Sequence, residues 1–399
     1  MVEQGLPRRE VGTVLIAHPG AELYGSDRVM LETLAGLVER DWRVVLAVPN
    51  EGPLLAEARR LGAETVVLPV PVIRKSVLKP RNLPRFVGGS IAASAGIDSL
   101  LKRLRPDVLY VSTLTIPLWT VRARARRIPV LAHVHESERS APTVLREAIA
   151  WPLLLADRVL VNSEFSRTSL TEVVPALEKR SRVVYNGVPA PAAVRLPRAE
   201  LDGGLRIAYI GRLSPRKGVD VAVAAVGLLV DSGIEASLDI VGSVFRGYEW
   251  YERSLREQVA ALGIADRVTF HGFRAAVWET LENADVAVVP SRLEEPFGNT
   301  AVESVLAARP VVVSAIGGLA EAIDGFASAI PIEPDDPMEL AAALHRIAAS
   351  WPEFGRRAVA LAPIAARRYS PETYRQTVAG EIERLVGIRR PSPSPALAS

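Results

Sequence analysis

The stretch LRIAYIGRLSPRKG, residues 205–218, contains the most informative pattern of the sequence. Its first six residues form a short apolar run, which is typical of a strand buried in a parallel sheet. Gly211 follows this run, and the residues after Gly218 continue as an apolar segment of helical length. A strand, a glycine turn and a helix in this order are the repeating unit of a doubly wound α/β fold.

The same unit recurs along the whole chain. Strands are predicted at residues 11–17, 43–49, 64–68, 108–111, 130–134, 158–161 and 182–185, and then at 205–210, 237–241, 267–270, 286–289 and 311–313. Helices are predicted at 27–40 and 54–61. Between the two series, residues 188–197 (VPAPAAVRLP) are too rich in proline for a helix or a central strand.

The pattern therefore predicts two doubly wound domains that face each other across a cleft. Ligands of open α/β sheets bind at the carboxyl ends of the strands, so this cleft is the expected site. The predicted division is an N-terminal Rossmann-like domain (1–188), a linker (189–204), a C-terminal Rossmann-like domain (205–370), a C-terminal helix that packs back on the N-terminal domain (371–387), and a disordered tail (388–399).

The composition excludes several classes of protein. The 399 residues include no cysteine, which rules out disulfides, thiolate catalysis and cysteine-ligated metals. No apolar run reaches the length of a membrane span and no signal-like segment is evident, so we expect a cytoplasmic location. The first 190 residues hold 26 Lys and Arg against 19 Asp and Glu, whereas the remainder has an acidic excess.

Two basic segments of the first domain suggest a surface for an anionic membrane. Residues 72–86 mix cations with apolar side chains, and residues 122–127 contain four arginines. Such segments suit peripheral attachment to the inner face of the plasma membrane, and they also suit an ordinary solvated surface. Both interpretations remain open from the sequence.

The turn after the strand at 205–210 carries two cations, Arg212 and Lys217, close to a helix start. Helix N-termini favour anions, and Gly211 allows the backbone to approach a ligand closely, so a diphosphate fits this turn. The alternative is an ordinary strand–turn–helix connection with solvated basic residues.

A second motif, EPFGNTAVE at residues 295–303, follows the strand at 286–289. If a helix begins near Asn299, the amides of residues 297–300 are free to bind phosphate or sugar oxygens. Glu295 and Glu303 are then acceptors for vicinal hydroxyl groups of a ribose or a hexose. The alternative is a pair of glutamates that only favour the helix dipole or solvent.

Together these motifs resemble the retaining glycosyltransferases of family 4 (GT4), which have the GT-B fold. Further segments are similar to that family: DIVG at 239–242, VTFHGF at 268–273, ADVAVVPS at 284–291, Gly317-Gly318 with Glu321, ADRVLVNS at 156–163 and VYNGV at 184–188. The resemblance implies a transferase that moves a hexose from a nucleotide-diphosphate sugar, UDP- or GDP-linked, to a lipid-linked or polysaccharide precursor of the cell surface bound by the N-terminal domain.

The resemblance also implies roles for individual residues. Arg212 and Lys217 stabilise the leaving diphosphate, Glu295 contacts the transferred sugar, and Glu303 holds the ribose. Phe273 and Arg274 are implied to lie near the base. The remaining donor-binding positions implied are Gly25, Ser26, Gly211, Gly242, Phe297, Gly298, Asn299 and Thr300. The family is thought to react on one face of the sugar, so that the departing phosphate oxygen helps to deprotonate the incoming hydroxyl.

Two features of the first domain complete the predicted site. His133 and His135 lie on the same side of the strand at 130–134 by alternation, and His135 matches the family histidine that contacts the sugar. Residues 18–28 join the first strand to its helix, where Gly25 and Ser26 either approach the donor phosphates or belong to a helix start capped by Ser26 or Asp27. The family has two adjacent glycines here, and this chain has Gly25-Ser26.

Other chemistries fit the sequence less well. No GxGxxG motif with a distal acid indicates a dinucleotide cofactor. Asp335-Asp336 lacks the Asp-x-Asp spacing of a metal-dependent GT-A transferase and suits a helix N-cap. We expect no cofactor, no metal and no nucleic-acid partner. Two alternatives remain, namely a GT-B-like sugar-nucleotide epimerase and a non-catalytic sugar-nucleotide binding protein.

Overall fold

A computed structural model describes residues 11–73, 83–137, 139, 141–245, 247–274 and 276–388. The predicted tail (388–399) therefore lies outside the described residues except for Ile388, and so does most of the basic segment 72–86. In the described part of the chain, no helix is both long and apolar enough to cross a bilayer.

The first sheet has seven parallel strands in the order β3-β2-β1-β4-β5-β6-β7. They are β1 (Thr13–Ala17), β2 (Arg43–Val48), β3 (Glu64–Val67), β4 (Val108–Val111), β5 (Val130–Val134), β6 (Arg158–Val161) and β7 (Ser181–Val183). Its helices are α1 (Gly25–Val38), α2 (Pro53–Arg60), α3 (Leu83–Leu104), α4 (Pro117–Ala125), α5 (Thr143–Ala150) and α6 (Glu164–Thr171). Apolar clusters cover both faces, which explains why the central strands are apolar throughout.

The second sheet has six parallel strands in the order β10-β9-β8-β11-β12-β13. They are β8 (Leu205–Ile210), β9 (Ala236–Val241), β10 (Val268–Gly272), β11 (Val286–Val289), β12 (Val311–Ser314) and β13 (Ala329–Ile332). Its helices are α7 (Val219–Asp231), α8 (Glu249–Ala261), α9 (Trp278–Asn283), α10 (Asn299–Leu306), α11 (Gly317–Ile323), α12 (Pro337–Ala349) and α13 (Trp351–Arg368). In both sheets the order of the strands reverses beside the first strand of the domain, β1 or β8. The predicted pair of doubly wound Rossmann-like domains is therefore confirmed.

The connection between the sheets is irregular, since residues 184–204 form no helix or strand. Arg198 fastens this connection to the second domain through an ion pair with the buried Asp285, at 2.5 Å. The last helix, α14 (Pro371–Leu385), returns to the first domain and packs on α1, where Tyr374, Val378 and Ile382 join the apolar cluster beneath that helix.

Two local expectations are corrected by the structure. Helix α1 begins at Gly25 with Tyr24 as its N-cap residue, so neither Ser26 nor Asp27 occupies the cap position. Asp27 lies in the first turn and accepts the Tyr24 backbone N–H at 2.7 Å, which satisfies a donor just before the helix. The strand predicted at 182–185 is β7 at Ser181–Val183.

Candidate active site

Two cavities in the cleft between the domains share the lining residues Tyr24 and Arg212. The smaller, of about 110 Å³, is lined by Gly211, Arg212, Gly242, Phe273 and Arg274 of the second domain, with Gly25 and Arg28 of the first, and by the start of α10. The larger, of about 860 Å³, is lined mostly by the first domain and also by Arg212, Arg216 and Phe245. Arg212 lines both cavities and therefore lies where they meet.

All of these residues follow the carboxyl ends of strands, which is the reason they meet. Gly211 and Arg212 come directly after β8, Gly242 after β9, and Phe273 after β10. A Cβ atom on Gly242, at φ +147°, would overlap the carbonyl oxygen of Gly211. Only glycine permits these two turns to lie against each other and leave room for a ligand.

Arg212 is held by aromatic rings. Its guanidinium carbon lies 4.3 Å from the ring centre of Tyr24 and 3.4 Å from that of Phe245. Its Nε atom is buried and has no hydrogen-bond partner among the described residues. Burial lowers the pKa of Arg212, although an arginine remains charged at any physiological pH. A fixed cation with unused donors is suited to bind a phosphate.

Lys217 is paired with a buried acid in this structure. Its Nζ lies 2.6 Å from Oε1 of Glu295, and Ser291 donates a second hydrogen bond to the same carboxylate oxygen. Burial alone would raise the pKa of Glu295, but Lys217 and Ser291 outweigh burial and hold that pKa below its usual value. The cation and the acid that the sequence placed in separate motifs, about 80 residues apart, are therefore in direct contact.

Helix α10 brings the second motif to the cleft. It begins at Asn299, so the amides of Asn299 and Thr300 have no acceptor within the helix. Gly298 precedes it at φ +116°, and a Cβ atom there would lie 2.5 Å from Leu319. Asn299 and Thr300 line the smaller cavity, whereas the Phe297 ring is buried in the core, 5.5 Å from the ring of Tyr369. Phe297 can therefore offer only its backbone to a ligand.

Glu303 lies one turn inside α10 and lines the smaller cavity. Its carboxylate is buried, and Arg28 of the first domain approaches it to 3.6 Å. Burial raises the pKa of Glu303, and Arg28 only partly opposes that shift. A buried acceptor at the edge of a cavity suits a pair of ligand hydroxyls.

His135 follows β5 and is buried near the first-domain loop. Neither of its ring nitrogens has a hydrogen-bond partner among the described residues. Burial is the largest cause that lowers the pKa of His135, and the charge of the nearby His18 is the second. The pKa falls to about 3, so the imidazole is neutral at pH 7. His133 stacks on it with ring centres 4.1 Å apart and donates to or accepts from Tyr110 at 2.7 Å, which gives His133 a place in the core.

Of the two residues of loop 18–28 that were predicted to approach the donor, only one lines the smaller cavity. Gly25 lines the smaller cavity, and its carbonyl oxygen accepts a 3.4 Å hydrogen bond from Asn299 of the other domain. Ser26 lines the larger cavity and not the smaller one. The structure therefore places Gly25, and not Ser26, beside the other predicted donor-binding residues.

Several residues at the site were missed by sequence reasoning. Tyr24 and Phe245 contact Arg212, Ser291 contacts Glu295, and Arg28 contacts Glu303. The contacts of Arg212 with Tyr24 and of Glu303 with Arg28 join the two domains, and no local pattern marks them. The available signals were the loop and helix start at 18–28, which contain Tyr24 and Arg28, and the motif at 284–291, which ends at Ser291.

Three of the four arginines of the basic segment 122–127 pair with two aspartates. Arg122 and Arg126 both pair with Asp98, and Arg124 pairs with Asp157 at 3.2 Å. The described residues also include no group of three His, Cys, Asp or Glu side chains that could hold a metal ion. Asp336 is the N-cap of α12, and its carboxylate accepts the amides of Met338 and Glu339, each at 2.9 Å.

Two doubly wound domains that enclose such a cleft define the GT-B architecture. Known proteins agree with this assignment. The family described as "Glycosyl transferases group 1" matches residues 204–350, and the family described as "Glycosyltransferase Family 4" matches residues 24–190. The chain therefore belongs to the group 1, or family 4, glycosyltransferases, and it is a glycosyltransferase.

Individual relatives agree with the family. A glycogen synthase of Mycobacterium tuberculosis is 28% identical over 307 residues, which are 72% of each chain. A D-inositol 3-phosphate glycosyltransferase of Mycolicibacterium gilvum is 34% identical over 215 residues, 51% of this chain and 47% of that one. The solved structure of Anabaena HepE with UDP and glucose has a TM-score of 0.79 at 19% identity, covering 93% of this chain and 99% of HepE. That last likeness concerns the fold alone.

Proposed function

We propose that the protein transfers a hexose, with retention and without a metal, from a nucleotide-diphosphate sugar to a lipid-linked or polysaccharide precursor of the cell surface. One observation carries the proposal. Arg212 and Glu303 line one cavity of the cleft, and Lys217 pairs with Glu295 in the turns that follow the adjacent strands β8 and β11 of the same domain. The neutral His135 is buried after β5 of the first domain. Cations for a leaving diphosphate and buried acceptors for sugar hydroxyls then surround one donor.

In this proposal the nucleotide lies in the smaller cavity. Phe273 and Arg274 flank the base, Glu303 accepts hydrogen bonds from the ribose, and Arg212 binds the diphosphate where the two cavities meet. HepE binds UDP and UDP-glucose in solved structures, which supports a uridine donor here. A guanosine donor remains the alternative.

The chemistry that follows is charge stabilisation at the leaving group. Arg212 and Lys217 offset the negative charge that develops on the diphosphate, and such preorganised stabilisation is usually the largest contribution to catalysis. Donor phosphates are strong competitors for Lys217, so donor binding would loosen its contact with Glu295 and free that carboxylate for the sugar. His135 is neutral and can donate one hydrogen bond and accept another without carrying charge.

Retention is proposed to follow from reaction on one face of the sugar. The departing phosphate oxygen takes the proton of the incoming hydroxyl while the acceptor approaches from the larger cavity. The protein then contributes orientation, charge stabilisation and exclusion of water as the cleft closes. The supporting observation is that Arg212 lines both cavities, so the acceptor side and the diphosphate side are contiguous.

We also propose that the protein acts while attached to an anionic membrane surface. Exposed apolar side chains lie on helices of the first domain: Ile91 on α3 is 69% exposed, Val144 on α5 73%, and Trp151 just after α5 59%. Tryptophan and aliphatic side chains are typical of interfacial contacts with lipid. With Arg122, Arg124 and Arg126 paired to acids, this apolar group is the stronger support for attachment.

The test is a panel of UDP-, GDP-, dTDP- and ADP-sugars incubated with the protein, with nucleotide release as the measurement. We expect release from one donor, unchanged by EDTA and accelerated by the correct acceptor. Lys217→Ala should lower the rate by about 10²-fold or more, because one charge opposite the leaving group is lost. Lys179→Ala, which changes an exposed lysine of the first domain, is the matched control.

The alternatives give different results in the same assay. An epimerase would convert one sugar nucleotide into another with no acceptor present, and a non-catalytic binding protein would bind a donor without releasing nucleotide. Dependence on added Mg²⁺ or Mn²⁺ would contradict the metal-independent mechanism. Near-normal turnover of Lys217→Ala would contradict the assignment of the leaving-group site.

A further inference from the structure

The guanidinium of Arg212 contacts two aromatic rings that come from different domains and lie at 75° to each other. Phe245 follows β9 of the second domain and lies 3.4 Å from the guanidinium carbon, whereas Tyr24 belongs to the first domain and lies at 4.3 Å on another side. The Tyr24 ring also contacts Phe245 and Phe273 edge-on, with centres 5.9 and 6.0 Å apart. Tyr24 thus reaches into an aromatic group of the opposite domain.

Tyr24 is anchored from below by buried polar contacts. Its backbone N–H donates to Asp27 at 2.7 Å, and the other oxygen of Asp27 contacts His18 Nε2, also at 2.7 Å. His18 contacts Ser112 at 2.5 Å through its second ring nitrogen. Since His18 and Asp27 are both buried, the backbone of Tyr24 is held at a defined position above β1 and β4.

Arg212 is held by aromatic rings and Lys217 by a carboxylate, and this difference affects how readily each cation can bind a phosphate. Lys217 is paired with Glu295, so an incoming phosphate must compete for it. Arg212 is oriented by two rings that attract its charge, and the Tyr24 side chain also forms a hydrogen bond with it. Its Nε, buried and without a partner among the described residues, remains a free donor. The two rings therefore fix the direction of the cation, and its Nε donor stays available for a diphosphate.

We propose that Tyr24 is a positioning residue for the donor: it supplies, from the first domain, the second of the two rings that orient Arg212 toward the diphosphate. This inference rests on the proposed function, because it takes the smaller cavity as the nucleotide site. It adds that Arg212 acquires its second ring only when the two domains are together. Diphosphate binding and closure of the cleft are then coupled through one side chain.

The experiment measures binding of UDP, GDP, dTDP and ADP, and of the four matching nucleosides, by calorimetry. For the diphosphate that the wild type binds most tightly, Tyr24→Leu is expected to raise the Kd about tenfold, in the range of a cation–π contact, and to change the Kd of the nucleoside less than about twofold. Tyr24→Phe retains the ring and removes the hydroxyl that hydrogen-bonds Arg212, so its Kd should lie between those of the wild type and Tyr24→Leu. Trp250→Leu, at a half-exposed ring that contacts only Tyr248 and Tyr251 among the aromatic residues described, is the matched control.

A second variant series separates positioning from folding. Phe245→Leu removes the other ring, whose side chain is 43% exposed, and should also weaken diphosphate binding selectively. In an Arg212→Leu background, Tyr24→Leu should have no further effect on the diphosphate Kd. Thermal unfolding of each variant shows whether the fold is kept.

The outcomes are distinct. If the wild type binds none of the four diphosphates, the proposed function fails. If the wild type binds one and Tyr24→Leu weakens diphosphate and nucleoside equally, Tyr24 contacts the base through Phe273 and the positioning role is refuted. A tenfold loss that persists in the Arg212→Leu background refutes it as well, because the effect would not pass through the arginine.

Discussion

Replacing Lys217 by alanine tests the electrostatics of the site without any ligand. The change removes the cation 2.6 Å from the buried Glu295 and leaves that carboxylate with Ser291 as its remaining partner. Removal of one partner from a buried pair costs about 3–5 kcal/mol. Because Lys217 is itself 28% exposed, water can enter the vacated space, and we expect a loss of about 2–3 kcal/mol.

The stability difference between the wild type and Lys217→Ala should depend on pH in a definite direction. In the wild type the pKa of Glu295 is depressed, so its contribution to stability is present above the unfolded pKa and is lost as pH falls through the folded pKa. In Lys217→Ala burial becomes the dominant influence, and the pKa of Glu295 rises above its unfolded value. The free energy of unfolding of the variant is then lowered most at high pH. As pH falls, protonation of Glu295 removes the buried charge and restores part of that free energy.

Thermal unfolding without nucleotide is the assay. At about pH 8 the loss corresponds to a Tm about 5–10 °C below the wild type, given roughly 2–4 °C per kcal/mol for a domain of this size. At about pH 5 the difference should shrink, because protonation of Glu295 relieves the variant while the wild type still keeps its contribution. Lys217→Ala combined with Glu295→Gln should recover most of the loss, since removing both charges leaves no buried ion.

Two results would refute this reasoning. A Tm difference that is the same at pH 5 and pH 8 would mean that Glu295 does not titrate in response to Lys217. A double variant as unstable as Lys217→Ala would mean that the lysine stabilises the fold by packing and not by its charge.

Three further predictions concern other parts of the chain. The depressed pKa of His135, about 3, predicts that kcat/KM shows no limb near pH 6.5 that belongs to this residue; a limb that disappears in His135→Gln would contradict its neutrality. The Glu321 carboxylate accepts the amides of Glu164 and Phe165 at 2.8 and 3.1 Å across the domain boundary. Glu321→Gln should therefore lower the free energy of unfolding by about 1 kcal/mol at low salt and less in 1 M NaCl, as measured by denaturant titration. Trp151→Ala should reduce co-sedimentation with vesicles containing anionic lipid several-fold while Trp250→Ala does not; equal binding by both variants would argue against the proposed membrane surface.

Much of the fold followed from the sequence because buried parallel strands are apolar over their whole length. The strands at 108–111, 130–134, 158–161, 205–210 and 286–289 agree with the structure residue for residue. The ends of other elements differ by one or two residues. The start of α1 was misplaced because the carboxylate of Asp27 satisfies a backbone N–H from inside the helix instead of from the cap position.

The sequence also determined which family the chain belongs to, since both cationic and acidic motifs are contiguous and follow strands directly. Motifs of this kind carry their own local geometry, so Arg212 after β8 and Glu303 inside α10 could be placed at the edge of a sheet without coordinates. The architecture then brought both edges to one cleft.

The pairings inside the cleft were decided only by the tertiary structure. Lys217 meets Glu295, Tyr24 meets Arg212, and Glu321 meets the start of α6, in each case across a long stretch of chain or across the two domains. The neutralisation of Arg122 by Asp98 is of the same kind. A sequence specifies which charges and rings exist, but whether a cation faces a carboxylate, a ring or solvent depends on how the helices and loops around it pack.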